Sequence, residues 1–204
     1  MQKYRTNTFK DCRGYEAWKF SSHQKSSINK GLKVASFETA YNWMMDNEDR
    51  ARACAIVPDD PRGARAISGI NSVAYPSEYA AIAALPQSQR QPAVQNFYQV
   101  HFWNQWYARL TFDDVSKRVF DAAVNMGPGT AVKLLQQASG SAVDGAWGPD
   151  TVALVNSIDS ATMVSKFQAA RLAHYQAIVA NNPSLAQYLG TAEKPGSWWI
   201  RATQ

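Results

Sequence analysis

The sequence predicts an all-α fold that contains at most a small hairpin, and three observations favour this class. Apolar residues recur at intervals of three and four over most of the 204 residues, which is the spacing of one face of a helix. Few segments alternate between apolar and polar residues, as a half-buried strand does. Residues that start or stop helices, such as Ser, Pro and Gly, stand at the ends of the periodic segments.

The first predicted helix carries an apolar face that ends in an acidic residue. Ser36 suits the N-cap, and continuing the face by about 3.6 residues per turn brings Glu48 onto it at the helix end. The face consists of Phe37, Tyr41, Met44 and Glu48. The following stretch, 51–71, contains two prolines and two glycines, so it predicts a loop region with room for a short hairpin.

Six further helices are predicted, and most have a boundary signal. Pro76 and Pro149 suit the first positions of a helix. Thr111 and Asp114 have the spacing of a capping box, and Gly140 can end a helix in a left-handed conformation. The predicted ranges are 76–85, 91–107, 111–126, 130–139, 149–156 and 161–180.

The first 34 residues differ from the rest of the chain in charge. They hold eight Lys or Arg against two acidic residues, a net charge of +6, so the other 170 residues carry −1. Aromatic residues are interleaved with these charges, and cations beside aromatic rings suit phosphate groups. Residues 1–34 therefore form either a solvated extension or a segment that binds an anionic surface.

Composition argues against a membrane span, a metal site and a bound cofactor. The longest apolar stretches fall well short of the roughly 18 residues that a span needs, and 1–34 lacks the apolar middle of a secretory signal. Cys12 and Cys54 are too few for a disulfide framework or a zinc site, and the three histidines have no metal-ligand spacing. We expect a cytosolic product without metal or cofactor.

Glu48 is the most informative carboxyl group of the sequence. Its place at the end of an apolar face disfavours the charged form, which suits a proton donor. Cleavage of a glycosidic bond needs such a donor, because a sugar oxygen leaves poorly unless it is protonated. The alternative is a solvated helix-end carboxylate beside Asp46 and Asp49. Asp59 and Asp60 follow in the loop, where they either orient a water molecule or shape a turn.

Four later residues are candidate ligand contacts. Tyr98 and Trp103 belong to an aromatic cluster that could stack on sugar rings, although aromatic residues at helical spacing usually form core. Asp121 and Asn125 stand four residues apart and share a helix face. They suit hydrogen bonds either to a ligand or to a neighbouring loop.

The second half of the chain carries motifs of a known family. Residues 119–138 read VFDAAVNMGPGTAVKLLQQA, 144–151 read DGAWGPDT and 196–201 read GSWWIR. In these motifs the chain resembles the glycoside hydrolase family 108 muramidases of phage endolysins and related bacterial proteins, including their C-terminal predicted peptidoglycan-binding region. The resemblance extends over about residues 36–204.

The resemblance implies that Glu48 is the catalytic acid, because it stands where the family has the Glu of a Glu-Gly-Gly-Tyr motif. Here the chain continues with Asp-Arg-Ala, so the two glycines and the tyrosine are absent. The family's Asp-Pro-Gly-Gly and Gly-Ile-Thr elements are similar to 60–63 and 69–71. The candidate substrate contacts are Asp60, Tyr98, Trp103, Asp121 and Asn125.

The resemblance also implies a lysozyme-like helical fold and a function. It implies hydrolysis of the bond between N-acetylmuramic acid and N-acetylglucosamine in peptidoglycan, which lyses the cell. Residues 35–115 would form the catalytic region and 116–204 a helical region packed into the same globule. We expect a monomer that reaches the wall from the cytoplasm of the producing cell after membrane permeabilisation, with 1–34 on an anionic outer-membrane or wall surface.

Three alternatives remain at this stage. One is a lytic transglycosylase that acts on the same bond, and another is a non-catalytic peptidoglycan-binding protein. The third is a nucleic-acid-binding protein, which only the basic segment 1–34 suggests, so we expect no nucleic acid partner.

Overall fold

The computed structural model describes residues 35–59, 63–192 and 197–204. In these ranges it contains nine α-helices and one three-stranded antiparallel sheet, which confirms the all-α class with a small sheet. The helices are α1 (Phe37–Glu48), α2 (Pro76–Ala83), α3 (Arg90–Phe102), α4 (Asp113–Met126), α5 (Pro128–Ser139), α6 (Pro149–Ser157), α7 (Ser160–Asn181), α8 (Ala186–Leu189) and α9 (Trp198–Thr203). The strands are β1 (Ile56–Pro58), β2 (Arg65–Ile67) and β3 (Ile70–Asn71).

Helix α1 begins and ends where the sequence predicts. The Ser36 hydroxyl accepts a hydrogen bond from the Thr39 amide at 3.1 Å, and the Ser36 amide donates to Asp113 of α4 at 2.9 Å. The cap therefore also joins the start of α1 to the start of α4. The buried face of α1 consists of Ala40, Tyr41, Met44 and Met45.

The sheet is a meander in which β2 pairs with both neighbours. Ile67 lies opposite Ile56 of β1 and Ile70 of β3, and both Ile67 and Ile70 are fully buried. The turn between β2 and β3 contains Ser68 and Gly69, whose φ angles are +47° and +84°. The conformation at Gly69 suits glycine, and it brings the turn against the end of α1.

Helix α4 lies at the centre of the fold and packs against α1, α5 and α7. Its buried face includes Val119, Phe120, Ala122 and Ala123. Helix α9 packs against α7, on the side of the molecule that also holds the end of α1. The described residues belong to one compact unit, 33–204, and the predicted boundary at 115/116 falls in the first turn of α4.

Two predicted helix boundaries are wrong. The helix predicted to reach Tyr107 ends at Phe102, because the backbone is extended at Trp103, and a short 3-10 helix follows over Tyr107–Arg109. The capping box predicted at Thr111 does not form: α4 begins at Asp113, and the Thr111 amide donates to the side chain of Asn156 at 2.9 Å.

In the part of the chain that the structure describes, every helix is too short or too polar to cross a bilayer. The basic segment 1–34 lies outside the described residues. The same holds for the candidate residue Asp60.

Candidate active site

Glu48 lies between the β2–β3 turn and the C-terminal helix α9. One carboxylate oxygen, Oε1, accepts a hydrogen bond from Nη2 of Arg201. The other oxygen, Oε2, lies against Gly69, where an added Cβ would be only 2.6 Å away. The Glu48 side chain is 16% exposed. A carboxyl group at the end of α1 is therefore fixed on two sides and still reaches the surface.

Arg201 joins Glu48 to a buried pair of opposite charges. Its Nη2 bonds Asp121 at 2.9 Å as well as Glu48, and its Nε donates to both Asp121 oxygens at 3.1 and 3.2 Å. Arg171 of α7 bonds the second Asp121 oxygen at 2.6 Å. Asp121 is 0% exposed and Arg171 is 1% exposed. The network therefore runs from Arg171 in the interior through Asp121 and Arg201 to Glu48, with alternating charges.

The charges of this network support one another. Burial opposes the charged form of Asp121, but Arg201 and Arg171 hold the pKa of this carboxyl group below its usual value. Burial likewise opposes the charge on Arg201, but the carboxylates of Asp121 and Glu48 raise the pKa of the guanidinium above its usual value. Both side chains are therefore charged in the folded protein.

Asp49 organises the loop that follows Glu48. Its carboxylate accepts hydrogen bonds from the Ser68 hydroxyl at 2.7 Å and from the amides of Cys54 and Ala53 at 2.8 and 3.1 Å. Partial burial opposes its charge, but these three hydrogen bonds hold the pKa of Asp49 below its usual value. The loop thus has a carboxylate at its centre in place of the two glycines that the family motif has after the Glu.

Two arginines also hold this loop. The guanidinium of Arg52 donates to the Asp49 carbonyl at 3.0 Å and to the Asp46 carboxylate at 2.8 Å. Arg52 and Cys54 have φ angles of +53° and +48°, which non-glycine residues seldom adopt. Arg90 of α3, which is buried, donates to the Cys54 carbonyl at 3.0 Å. Together these hydrogen bonds hold the loop after Glu48 in a backbone conformation that would otherwise be unfavourable.

Tyr98 of α3 lies in the site but is almost completely buried. Its hydroxyl donates to the Ser68 carbonyl at 2.7 Å, and a Cβ added at Gly69 would be 2.7 Å from this hydroxyl oxygen. Burial, followed by the charge of Glu48, raises the pKa of Tyr98 well above 10. Tyr98 is therefore a neutral donor that holds the β2–β3 turn, and its ring has no surface on which a sugar could stack.

The other candidate contacts are distributed over the fold. Trp103 is half-buried and stacks on Tyr107 at 4.9 Å. Asn125 accepts a hydrogen bond from the hydroxyl of Tyr175. Asp121 is fully buried, and both of its oxygens are bonded to arginine side chains, as in the alternative of hydrogen bonds within the protein.

Asp59 lies at the end of β1 and is exposed. Its carboxylate accepts a hydrogen bond from the Asn71 side chain, whose own oxygen accepts from the amides of Val73 and Ala74 at 2.7 and 3.0 Å. This hydrogen bond joins β3 to the residue that follows β1. Among the residues described, no group of His, Cys, Asp and Glu has the geometry of a metal site.

Arg171 and Arg201 are site residues that the sequence reasoning did not select. Arg171 stands on the inner face of α7 between Phe167 and Tyr175, so a cation within an apolar face was a signal for a buried counter-ion. Arg201 gives no comparable signal, because its partners lie 80 and 153 residues earlier in the chain.

A family model matches the part of the chain that holds Glu48. Residues 41–127 match the family model described as Glycosyl hydrolase 108. This range contains Glu48, its loop, the sheet and all of α4, and it defines the class of the protein, which is a glycoside hydrolase.

The fold is similar to that of a solved structure, SagA of Brucella abortus. The two chains are 24% identical with a TM-score of 0.56, and the similarity covers 74% of this chain and 86% of SagA. At this identity the likeness is one of fold. No curated protein matches the chain in sequence.

Proposed function

We propose that this glycoside hydrolase is an endolysin-type muramidase, with Glu48 as its proton donor. The bond cleaved is the one between N-acetylmuramic acid and N-acetylglucosamine in bacterial peptidoglycan. One observation carries the proposal: in the matched range, α1 ends in a carboxyl group that is fixed by Arg201 and Gly69 yet partly exposed. The motifs at 119–138 and 144–151 support the same family.

The proposed reaction is acid-catalysed hydrolysis. Glu48 transfers its proton to the glycosidic oxygen as the bond between this oxygen and the anomeric carbon breaks, so the leaving sugar departs with a hydroxyl group. A water molecule adds its hydroxyl to the anomeric carbon and releases its other proton to solvent, from which Glu48 is reprotonated.

The decisive variant is Glu48→Gln, which keeps the shape of the side chain but has no acidic proton. General acid catalysis contributes about 10² to 10⁴ in rate, so the variant should clear purified walls at least roughly 100-fold more slowly in a turbidity assay. Glu38→Gln is the matched control, since Glu38 is exposed in the first turn of the same helix. A folded Glu48→Gln protein with more than about a tenth of the wild-type rate would contradict the assignment.

Product analysis separates the proposed reaction from its alternatives. Hydrolysis leaves reducing muramic acid ends, which mass spectrometry detects, whereas a lytic transglycosylase leaves an anhydro sugar. A protein that pulls down with purified peptidoglycan but releases no soluble fragment is a binding module instead.

The endolysin role has two further parts. First, the protein stays in the cytoplasm of the producing cell until the membrane is permeabilised and the wall becomes accessible. Second, residues 1–34, with a net charge of +6, bind an anionic outer-membrane or wall surface. Protein lacking 1–34 should lyse intact cells less than the full chain does while clearing purified walls equally well. Equal lysis of intact cells would remove the role given to this segment.

A further inference from the structure

Helix α9 brings a cation to Glu48 from outside the range that matches the glycosidase family. Arg201 stands 153 residues after Glu48 and well beyond residue 127, where the match ends. Its Nη2 donates to Glu48 and to Asp121 together. The C-terminal region therefore contacts the catalytic carboxyl group directly.

The guanidinium of Arg201 is held in one orientation. Asp121 accepts from both its Nε and its Nη2, and the side chain is only 9% exposed. The Arg201 backbone is held as well, because its carbonyl accepts from Nη1 of Arg171 at 2.8 Å. At the start of α9, the Ser197 hydroxyl caps the helix by accepting from the Ile200 amide at 3.2 Å. Arg201 thus cannot turn away from Glu48 without breaking several buried bonds.

We propose that Arg201 is a positioning residue that stabilises the negative charge developing on Glu48 as Glu48 donates its proton, so that α9 belongs to the catalytic centre. This inference rests on the proposed function, in which Glu48 is the acid. It gives the C-terminal region a part in catalysis, which differs from a region that only binds the wall.

The shared contact with Asp121 makes this role physically consistent. While Glu48 is protonated, Arg201 keeps its bonds to Asp121, which it shares with Arg171, so the guanidinium stays in place. When the proton leaves, the new carboxylate finds a charged donor already in place, and the protein does not have to reorganise. Fixed donors aimed at a developing charge are among the strongest contributions to catalysis.

Titratable or charged groups face Glu48 from every element packed around it. These groups are Asp49 on the following loop, Tyr98 on α3, Asp121 on α4, Arg171 on α7 and Arg201 on α9. Arg201 is the cation bonded to Glu48, so it is the group of this set that the test removes.

The test uses the full chain with Arg201→Met and Arg201→Lys. Arg201→Met should lower kcat on purified peptidoglycan by roughly 10- to 100-fold with little change in apparent KM. A general acid acts only while it is protonated, and a neighbouring cation favours loss of the proton, so Arg201→Met should stay active to higher pH than the wild type does. Arg201→Lys retains the charge and should recover part of the rate and the wild-type pH profile.

Gln168→Ala provides a matched control for loosening α9. The Gln168 side chain donates to the carbonyls of Thr203 and Gln204, both at 2.8 Å, and does not contact Glu48. This variant should lose stability but keep the wild-type pH profile.

The outcomes separate this inference from the proposed function. An Arg201→Met protein that unfolds more easily, but retains kcat and the pH profile per folded molecule, overturns the role of Arg201. If Arg201→Met does not fold, Arg201→Gln decides, because it keeps a hydrogen-bond donor but loses the charge: an unchanged kcat and pH profile in this variant then overturn the role. An active Glu48→Gln protein instead removes the proposed function itself.

Discussion

The two sides of Glu48 are built from different chemistry. On the loop side, Asp49 accepts hydrogen bonds from neutral groups, namely a hydroxyl and two backbone amides, and its side chain is partly exposed. On the helix side, Asp121 has no exposed surface and pairs with two arginines. Asp49 shapes the backbone that follows Glu48, and Asp121 fixes the charge of Arg201 beside it.

This difference predicts unequal contributions to stability. Removing one partner of a buried charge pair costs about 3 to 5 kcal/mol, because it leaves the other charge without a counter-ion. Hydrogen bonds to a partly exposed carboxylate contribute less, on the order of 1 kcal/mol each, because solvent replaces them in part.

Asp121→Ala should have the largest effect on the free energy of unfolding. It leaves Arg171 buried without a carboxylate and leaves Arg201 with Glu48 alone, so we expect a loss of about 3 to 5 kcal/mol in chemical denaturation. Asp114→Ala is the control on the same helix. The Asp114 side chain is 60% exposed and pairs with Lys117 and Arg118 at the surface, so its loss should be about 0 to 1 kcal/mol. Equal losses for the two variants would contradict the comparison.

Asp49→Asn should have a smaller effect that depends on pH. The pKa of Asp49 lies below its usual 3.8, so its stabilising contribution is fully present above pH 3.8 and is lost as the pH falls through the lower folded value. At pH 7 we expect a loss of about 1 kcal/mol in the free energy of unfolding. The gap from wild type should shrink in denaturation curves recorded below pH 3.8. A gap that stays constant down to pH 2 would show that charge on Asp49 is not involved.

Local signals explain which parts of the fold were predictable. The cap at Ser36, the end of α1 at Glu48 and the left-handed Gly140 each depend on neighbours within one or two turns of helix. The prolines and glycines of 51–71 predicted a loop with a short hairpin, and the structure places the small sheet there. Such features are visible in a short window of sequence.

The surroundings of Glu48 could not be derived in the same way. The apolar face of α1 predicted an apolar setting for its carboxyl group, whereas the structure adds Arg201 from α9. Asp121 and Asn125 do share a face of α4, but whether that face meets a ligand or Arg171 depends on how α7 packs. Pairings over 50 to 153 residues leave no periodic trace in the sequence.

The long sequence separation between Glu48 and Arg201 also has a consequence for folding. Closing a loop of 153 residues costs entropy while the chain between its ends is unfolded, so we expect this contact to form late in folding. If Glu48 is the acid as proposed, the catalytic centre should therefore be completed late in folding. A partly folded chain would hold Glu48 without Arg201, so we expect activity to appear only with the native state.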